Sequence, residues 1–302
     1  MGILSAIGNT RLVEIENINP NPAVKVFAKL EGDNPGGSVK DRPALFMIEQ
    51  AEKEGLLGCN KIILEATSGN TGIGLAMVGA AKNYRVKLVM PACVSIERRK
   101  VLEAFGAELI LSPAEEGTDG AIRLANKIYS EDKKRYFMPN QFDNPANVMA
   151  HYHTTGKEII EQTKGSVTHF VAGMGTTGTL MGVARRLKEY NENIRIVGVE
   201  PLPCHRIQGL KNMEESIVPK IYDRNAIDMH YYVNDEDAFN TTRMLAIKEG
   251  IFAGMSSGAA MYIALKLSSE LKSGVVVVLL PDRGDRYLST SLFASVCGKC
   301  PP

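Results

Sequence analysis

Apolar and polar positions follow two periods along the chain. Short, nearly continuous apolar runs fall at residues 25–30 (KVFAKL), 61–66 (KIILEA), 86–90 (VKLVM), 108–112 (ELILS), 168–173 (THFVAG), 194–200 (IRIVGVE) and 274–280 (GVVVVLL). Runs of this length, rich in Val, Ile and Leu and mostly lacking polar alternation, predict strands buried on both faces. Between them apolar residues recur at helical spacing. That spacing predicts helices over 40–54, 71–82, 95–105, 118–130, 145–163, 178–190, 235–249 and 258–271. Such alternation predicts mainly parallel sheets flanked by helices on both sides. The Pro/Asn-rich stretch MPNQFDNPAN at 138–147 is the best place for a seam between two α/β units, although it is too short for a flexible tether. No solenoid repeat and no low-complexity linker interrupts the pattern.

Composition narrows the function classes. The 302 residues are 44% hydrophobic and 23% charged, ordinary for a soluble globular protein with an ample core. A net charge of +1 without a long basic run argues against nucleic acid and anionic membranes as partners. The longest apolar run, 275–280, is far too short to span a bilayer. The segment MGILSAIGNTRLVEI lacks the features of a secretory signal, so a cytoplasmic protein is expected. Five cysteines, an odd number, argue against a disulfide framework. Cys297 and Cys300 form a CxxC near the end, but no second pair completes a zinc site. They read as a reduced tail, with redox or metal capture left open. His151 and His153 stand two apart on a predicted helix and point in different directions, so a structural role is expected and no metal site.

Three polar turns open helices. GMGTTGT (173–179) follows a buried strand. Its glycines let the backbone approach a ligand, and Thr176, Thr177 and Thr179 add hydroxyls to the free N–H groups of a helix start. The turn reads equally as a phosphate cup or as a tight strand-to-helix connection with threonine caps. It lacks the lysine of a Walker A loop and the spacing of a dinucleotide fingerprint. EATSGNTG (65–72) crowds Thr67, Ser68, Asn70 and Thr71 at another helix start, which suits a smaller anion such as a carboxylate. GMSSGAAM (254–261) places Ser256 and Ser257 as N-cap residues. A fourth stretch, NPGGSVKDRPA (34–44), raises a question, because Lys40 falls in the first turn of a helix where the macrodipole disfavours a cation.

PGGSVKDR (35–42), EATSGNTGIGLA (65–76), GMGTTGTLMG (173–182) and GMSSGAA (254–260) occur in that order, with IGNTRLVEI (7–15) near the start and RGDRYLST (283–290) near the end. Together they resemble the pyridoxal-phosphate enzymes of fold type II, the tryptophan synthase β-like group, and within it the cysteine synthases (O-acetylserine sulfhydrylases). SIERRKVLEAFGAELIL (95–111), EGIFAGMSSG (249–258) and DRGDRYLST (282–290) are similar to the B-type isozymes. The resemblance implies two α/β domains. Residues 1–39 and 146–302 would form the larger, cofactor-phosphate-binding one. Residues 40–145 would form a smaller mobile one carrying the substrate-carboxylate loop.

The resemblance also implies roles. Lys40 would form the internal aldimine with pyridoxal 5′-phosphate, which removes the ordinary ammonium from the helix start. Its environment would lower the pKa of the free amine and let it act as a base. Gly175, Thr176, Thr177, Gly178 and Thr179 would hold the 5′-phosphate, Asn70 the 3′-oxygen, and Ser256 would face the pyridine nitrogen. Thr67, Ser68, Asn70, Thr71 and Gln141 would bind the substrate α-carboxylate. A serine does not keep the pyridine nitrogen protonated as an aspartate would, which favours β-elimination to an α-aminoacrylate over a long-lived carbanion. The implied reaction converts O-acetyl-L-serine and sulfide, or thiosulfate, to L-cysteine with ping-pong kinetics. Implied partners are a second copy in a homodimer, serine acetyltransferase, or a sulfur-carrier protein.

The sequence departs from the family's pattern at Arg11, where the family usually has proline, and at Lys211 in GLKNMEESIVP (209–219). At Lys211 the B-type carries an arginine associated with larger, charged sulfur donors. A lysine keeps the charge and loses the bidentate fork. Alternatives on the same scaffold are an O-phosphoserine-dependent or thiocarboxylate-using sulfhydrylase, a cysteine desulfhydrase, a serine dehydratase, and a cystathionine- or lanthionine-forming enzyme. The chain is too short for the added segments of a full-length cystathionine β-synthase. The intact Lys40, Asn70, Ser256 and cup argue against a purely non-catalytic binding role.

Overall fold

A computed structural model describes residues 2–67, 69–94 and 96–293, without the side chains of 97 and 98. Ser68, Cys297 and Cys300 lie outside the described residues. The strands are β1 (Leu12–Glu14), β2 (Val24–Leu30), β3 (Ile62–Ala66), β4 (Arg85–Pro91), β5 (Glu108–Ser112), β6 (Tyr136–Phe137), β7 (His169–Gly173), β8 (Arg195–Pro201), β9 (Met229–Val233) and β10 (Gly274–Leu280). The helices are α1 (Asp41–Lys53), α2 (Asn70–Lys82), α3 (Ile96–Ala104), α4 (Gly117–Glu131), α5 (Pro145–His153), α6 (Thr155–Gln162), α7 (Gly178–Tyr190), α8 (Asp235–Glu249) and α9 (Met255–Glu270).

Two sheets form. One has six strands in the order β1-β2-β10-β7-β8-β9, and the other four in the order β5-β4-β3-β6. Every pairing is parallel except β1 with β2. The expectation of mainly parallel sheets flanked by helices is therefore met. The reason is visible in β10: Val276, Val278 and Leu280 enter one apolar core with α8 and α9, whereas Val277 and Leu279 enter another with α7. Side chains alternate faces along a strand, so a strand covered on both faces must be apolar throughout. β3 repeats this in the smaller sheet, with Ile63 on one face and Ile62, Leu64 and Ala66 on the other.

Three expectations need correction. The single helix expected over 145–163 is two, α5 and α6, broken at Thr154. The Thr154 hydroxyl bonds the Ala150 carbonyl at 2.6 Å, a side-chain competitor for the helix ladder. α9 starts at Met255 with Gly254 as N-cap, so Ser256 and Ser257 sit inside its first turn and do not cap it. Lys40 is itself the N-cap of α1, one position before the first turn. Strands β1, β6 and β9 escaped the periodicity because they are short edge strands, exposed or abutting loops.

A buried ionic cluster ties α1 to the six-stranded sheet. Arg42 is fully buried and bonds Glu31 through Nε at 2.7 Å and Nη2 at 2.8 Å, and Glu158 through Nη1 at 2.6 Å and Nη2 at 2.8 Å. Lys29, also buried, reaches Glu158 at 2.6 Å, the Thr10 carbonyl at 2.7 Å and Gln162 at 2.8 Å. Two cations face two carboxylates, and the remaining polar atoms are satisfied by Thr10 and the Asn9 amide. Although burial opposes its ionisation, bonds from Arg42 and Lys29 hold the Glu158 carboxyl at about 2, below its ordinary 4.5. A carboxyl depressed on folding stabilises the fold above its unfolded value and loses that contribution as pH falls through the folded one. Urea unfolding should therefore show stability declining between about pH 4.5 and 2, and Glu158→Gln should flatten that decline.

Among the described residues no helix is long and apolar enough to cross a membrane.

Candidate active site

The two sheets present the carboxyl ends of their strands to one cleft of about 610 Å³. Loops there lie where parallel α/β sheets ordinarily bind ligands. Four segments meet: 31–40 after β2, 67–71 after β3, 173–179 after β7, and 281–287 after β10. Lys40, Asn70, Thr71, Gln141, Gly175, Thr176, Thr177, Thr179, Lys211 and Ser256 all line the cleft. These residues lie as much as 216 positions apart, yet they share one surface. Thr67 and Gly178 stand behind it.

Lys40 is half-buried at the start of α1. Burial pushes its amine below the ordinary lysine range, while Asp282 and Glu31 pull it back. The helix field acts in the same direction as burial. An amine in these surroundings gives up its proton more readily than a surface lysine does. It can then act as a nucleophile or a base. Asp41, the next residue, accepts the Gly36 N–H at 2.6 Å, and burial pushes its carboxyl up to about 7.

The turn after β7 forms a cup. Thr177 is the N-cap of α7 with a φ of 66°, a left-handed conformation that is uncommon outside glycine. Its hydroxyl is buried with no hydrogen-bond partner among the described residues. The first N–H groups of α7 have no carbonyl of their own helix to bond, and the helix dipole adds positive potential. Gly175 is required by crowding: a Cβ there would lie 2.6 Å from the Gly209 carbonyl. Gly209 belongs to the 202–228 loop, which the Lys211 amide ties to the Met174 carbonyl at 2.8 Å.

The turn after β3 makes a second polar pocket. Thr67 Oγ1 accepts the amides of Gly69 and Gly72 at 3.1 Å, which leaves its hydroxyl proton free to donate. Thr71 donates to Gln141 Oε1 at 2.5 Å, and Gln141 Nε2 donates to the Ala66 carbonyl at 3.0 Å. Glu65, buried below, accepts the amides of Asn140 at 2.7 Å and Gln141 at 3.2 Å. Burial pushes its carboxyl up to about 8 against those two bonds.

Asn70 is gripped at both ends of its amide. Nδ2 donates to Asp282 at 2.6 Å, and Oδ1 accepts from Arg286 at 2.5 Å. Tyr287 donates to the same Asp282 oxygen at 2.5 Å. One Asn70 hydrogen is left for a ligand. Asp282 and Arg286 lie in DRGDRYLST, a stretch whose periodicity carries no sign of their contact with Asn70. Lys211 lies across the cleft from the other sheet: its amine is 3.3 Å from Asp119 on α4 and 4.9 Å from the Phe142 ring centre. Asp119 carries no signal in the sequence beyond a position in the first turn of α4.

The set fits pyridoxal phosphate on three observations. An unpartnered buried hydroxyl, Thr177, stands at an anion-binding helix start. A glycine backbone at 175 leaves no room for a side chain. A lysine amine shifted toward neutrality shares the cleft. His151 and His153 contact different neighbours. His151 bonds threonines, and His153 stacks on Phe46 at 6.4 Å and meets Tyr152 edge-on at 4.9 Å.

Residues 3–282 match the pyridoxal-phosphate dependent enzyme family. A cysteine synthase of Aquifex aeolicus is 50% identical over 300 residues, covering 97% of this chain and 92% of that protein. Cysteine synthase B of Pseudomonas aeruginosa is 47% identical, covering 96% of this chain and 97% of that protein. A crystal structure of cysteine synthase from Entamoeba histolytica superposes with a TM-score of 0.91 at 40% identity, covering 97% of this chain and 90% of that chain.

Proposed function

Because this chain belongs to the pyridoxal-phosphate-dependent enzymes of fold type II, in the cysteine synthase group, we propose that its cleft converts O-acetyl-L-serine and sulfide to L-cysteine. The observation that carries this is the convergence in one cleft of the desolvated Lys40 amine, the Thr176–Thr179 cup and the Thr71–Gln141 pocket. When bound, the cofactor supplies an electrophilic carbonyl carbon and a ring that stabilises negative charge at the substrate α-carbon.

The chain's own residues do the rest. Residues 175–179 hold the phosphate by backbone and hydroxyl donors. Asn70 offers its remaining Nδ2 hydrogen to the ring oxygen, and Ser256 faces the ring nitrogen without charging it. Thr67, Ser68, Asn70, Thr71 and Gln141 hold the substrate carboxylate beside the positive end of α2. Lys40 Nζ takes the proton from the α-carbon and later returns it. Acetate leaves the β-carbon, and hydrosulfide adds at that same carbon. The 40–145 unit moves over the cofactor when the carboxylate binds and keeps water from the β-carbon.

Asp119 pairs with Lys211 at the mouth, so the lysine's charge is already countered. This favours a small donor such as sulfide over a dianionic one. A homodimer in the cytoplasm accompanies this reading. The dimer is supported by Met244, Ile247, Phe252 and Leu288, all exposed apolar residues on or near α8 and the 284–288 turn.

The test is to add O-acetyl-L-serine alone to the purified protein and follow the cofactor's visible absorption. The spectrum should change, then return when sulfide is added, with L-cysteine in solution. An unmoved spectrum with no cysteine formed would overturn the substrate reading. Cysteine formed from O-phosphoserine and sulfide, and not from O-acetylserine and sulfide, would replace acetate by phosphate as leaving group.

A further inference from the structure

Behind the cup lies a buried layer that the reading above does not use. His151 on α5 is 1% exposed. Its Nε2 lies 3.2 Å from Thr179 Oγ1, and its Nδ1 lies 2.9 Å from Thr155 Oγ1. One turn earlier on the same helix, Asn147 Nδ2 donates to Thr176 Oγ1 at 3.1 Å and to the Gln141 carbonyl at 2.8 Å. This layer reaches the cup because α5 lies directly on α7 at Gly182. A Cβ there would strike the Val148 carbonyl and stand 2.8 Å from His151 Cβ.

The direction of these bonds follows from counting protons. A threonine hydroxyl has one proton, and an anion only accepts. If Thr179 donates to an anion in the cup, its oxygen must accept from whatever stands behind it. That neighbour is His151 Nε2, which must then carry hydrogen. A neutral imidazole has a single N–H, so Nδ1 is bare and accepts from the Thr155 hydroxyl. The other tautomer would reverse the chain, with Thr179 donating to Nε2 and turning a lone pair toward the anion. Asn147 has the matching polarity at Thr176. A main-chain carbonyl can only accept, so the bond to Gln141 fixes which end of the amide carries the hydrogens.

We propose that α5 supplies a donor layer behind the cofactor's phosphate, in which His151, as the Nε2–H tautomer, and Asn147 turn the hydroxyl protons of Thr179 and Thr176 toward that anion. This rests on the reading that residues 175–179 hold the phosphate. Burial, with Arg42 and Lys40 nearby, pushes His151 well below its ordinary range and keeps it neutral, so a single ring nitrogen is protonated. His151 acts through Thr179 and is a positioning residue.

The test has two readouts. In the holoenzyme with ¹⁵N-labelled histidine, long-range proton–nitrogen correlation should show Nε2 protonated and Nδ1 bare for His151, assigned by the signal lost in His151→Gln. An Nδ1–H tautomer overturns the proposal. Second, the full-length chain stripped of cofactor is titrated with pyridoxal phosphate and with pyridoxal, which lacks the phosphate. His151→Leu should weaken pyridoxal phosphate about tenfold, the scale of one hydrogen bond serving a charged group, and leave pyridoxal within about twofold. His151→Gln, which returns an N–H near Nε2, should recover most of the loss. Equal weakening of both ligands means a packing role and overturns the proposal. Should His151→Leu fail to fold, Thr155→Val removes the donor to Nδ1 and should shift the Nδ1 resonance while Nε2 stays protonated; an unmoved Nδ1 resonance, or a proton on Nδ1 in place of Nε2, overturns the proposal. Wild-type protein binding neither ligand sinks the functional reading itself, whereas normal cofactor binding with the wrong tautomer sinks only this inference.

Discussion

Lys40→Ala should lower L-cysteine formation from O-acetyl-L-serine and sulfide on the order of 10³-fold, within the range that a positioned acid–base group supplies. The loss is expected because no other amine described in the cleft can replace it. Lys211 is held at Asp119 by 3.3 Å, and Arg206 is paired with Asp235 at 3.0 Å. The substitution should leave the fold intact. The Lys40 side chain lines a cleft and is not packed in a core, and the start of α1 is secured two residues on by Arg42. Steady-state rates, with circular dichroism as the folding control, decide it. A variant retaining a tenth or more of the activity would show that Lys40 is not the base. Partial recovery with an added small amine would tie the loss to the missing nitrogen.

Arg42→Ala should have the largest effect on stability, about 3–5 kcal/mol, the cost of breaking a buried ion pair from one side. Its removal leaves Glu31 fully buried without a cationic partner at its carboxylate and leaves Glu158 with Lys29 alone. Urea unfolding of both proteins measures the difference. Arg42→Met, which fills the space but carries no charge, should be nearly as damaging, because the uncompensated carboxylates remain. A loss below about 1 kcal/mol, the scale of an exposed pair, would mean that the cluster adds little. The substitution should also weaken cofactor retention, since Arg42 and Lys40 share the start of α1.

The distribution of legible and illegible features follows the range of the forces involved. β10 was readable because burial on both faces demands an unbroken apolar run, and GVVVVLL is one. The turns at 67–72 and 173–179, each between a strand and a helix, were readable as polar helix starts because glycine and hydroxyl residues interrupt the apolar spacing there; what they would bind came from the resemblance and not from the turns themselves. Boundaries slipped where capping decides them: with Gly254 as N-cap, α9 begins at Met255, three residues before the start that its apolar spacing predicts. The break at Thr154 depends on a hydroxyl competing with the backbone, an effect that periodicity does not carry.

Local chemistry, written in consecutive residues, was determined by the sequence alone: seven of the ten described strands, most of the helices, and the mainly parallel sheets. The roles expected of Lys40, Asn70, the 175–179 turn and Ser256 came from the resemblance of ordered motifs, and the structure adds that Lys40, Asn70, Gly175, Thr176, Thr177, Thr179 and Ser256 line one cleft. Only the tertiary structure decided who stands behind those groups. Glu158 lies 116 residues from Arg42, Arg286 lies 216 from Asn70, and Thr179 lies 28 from His151. Each is an ordinary polar residue in its own helix or turn, and it acquires a partner only when two elements pack. Burial then removes water as the alternative partner, so the orientation of each proton and the charge state of each acid or base are set by a neighbour that no local pattern names.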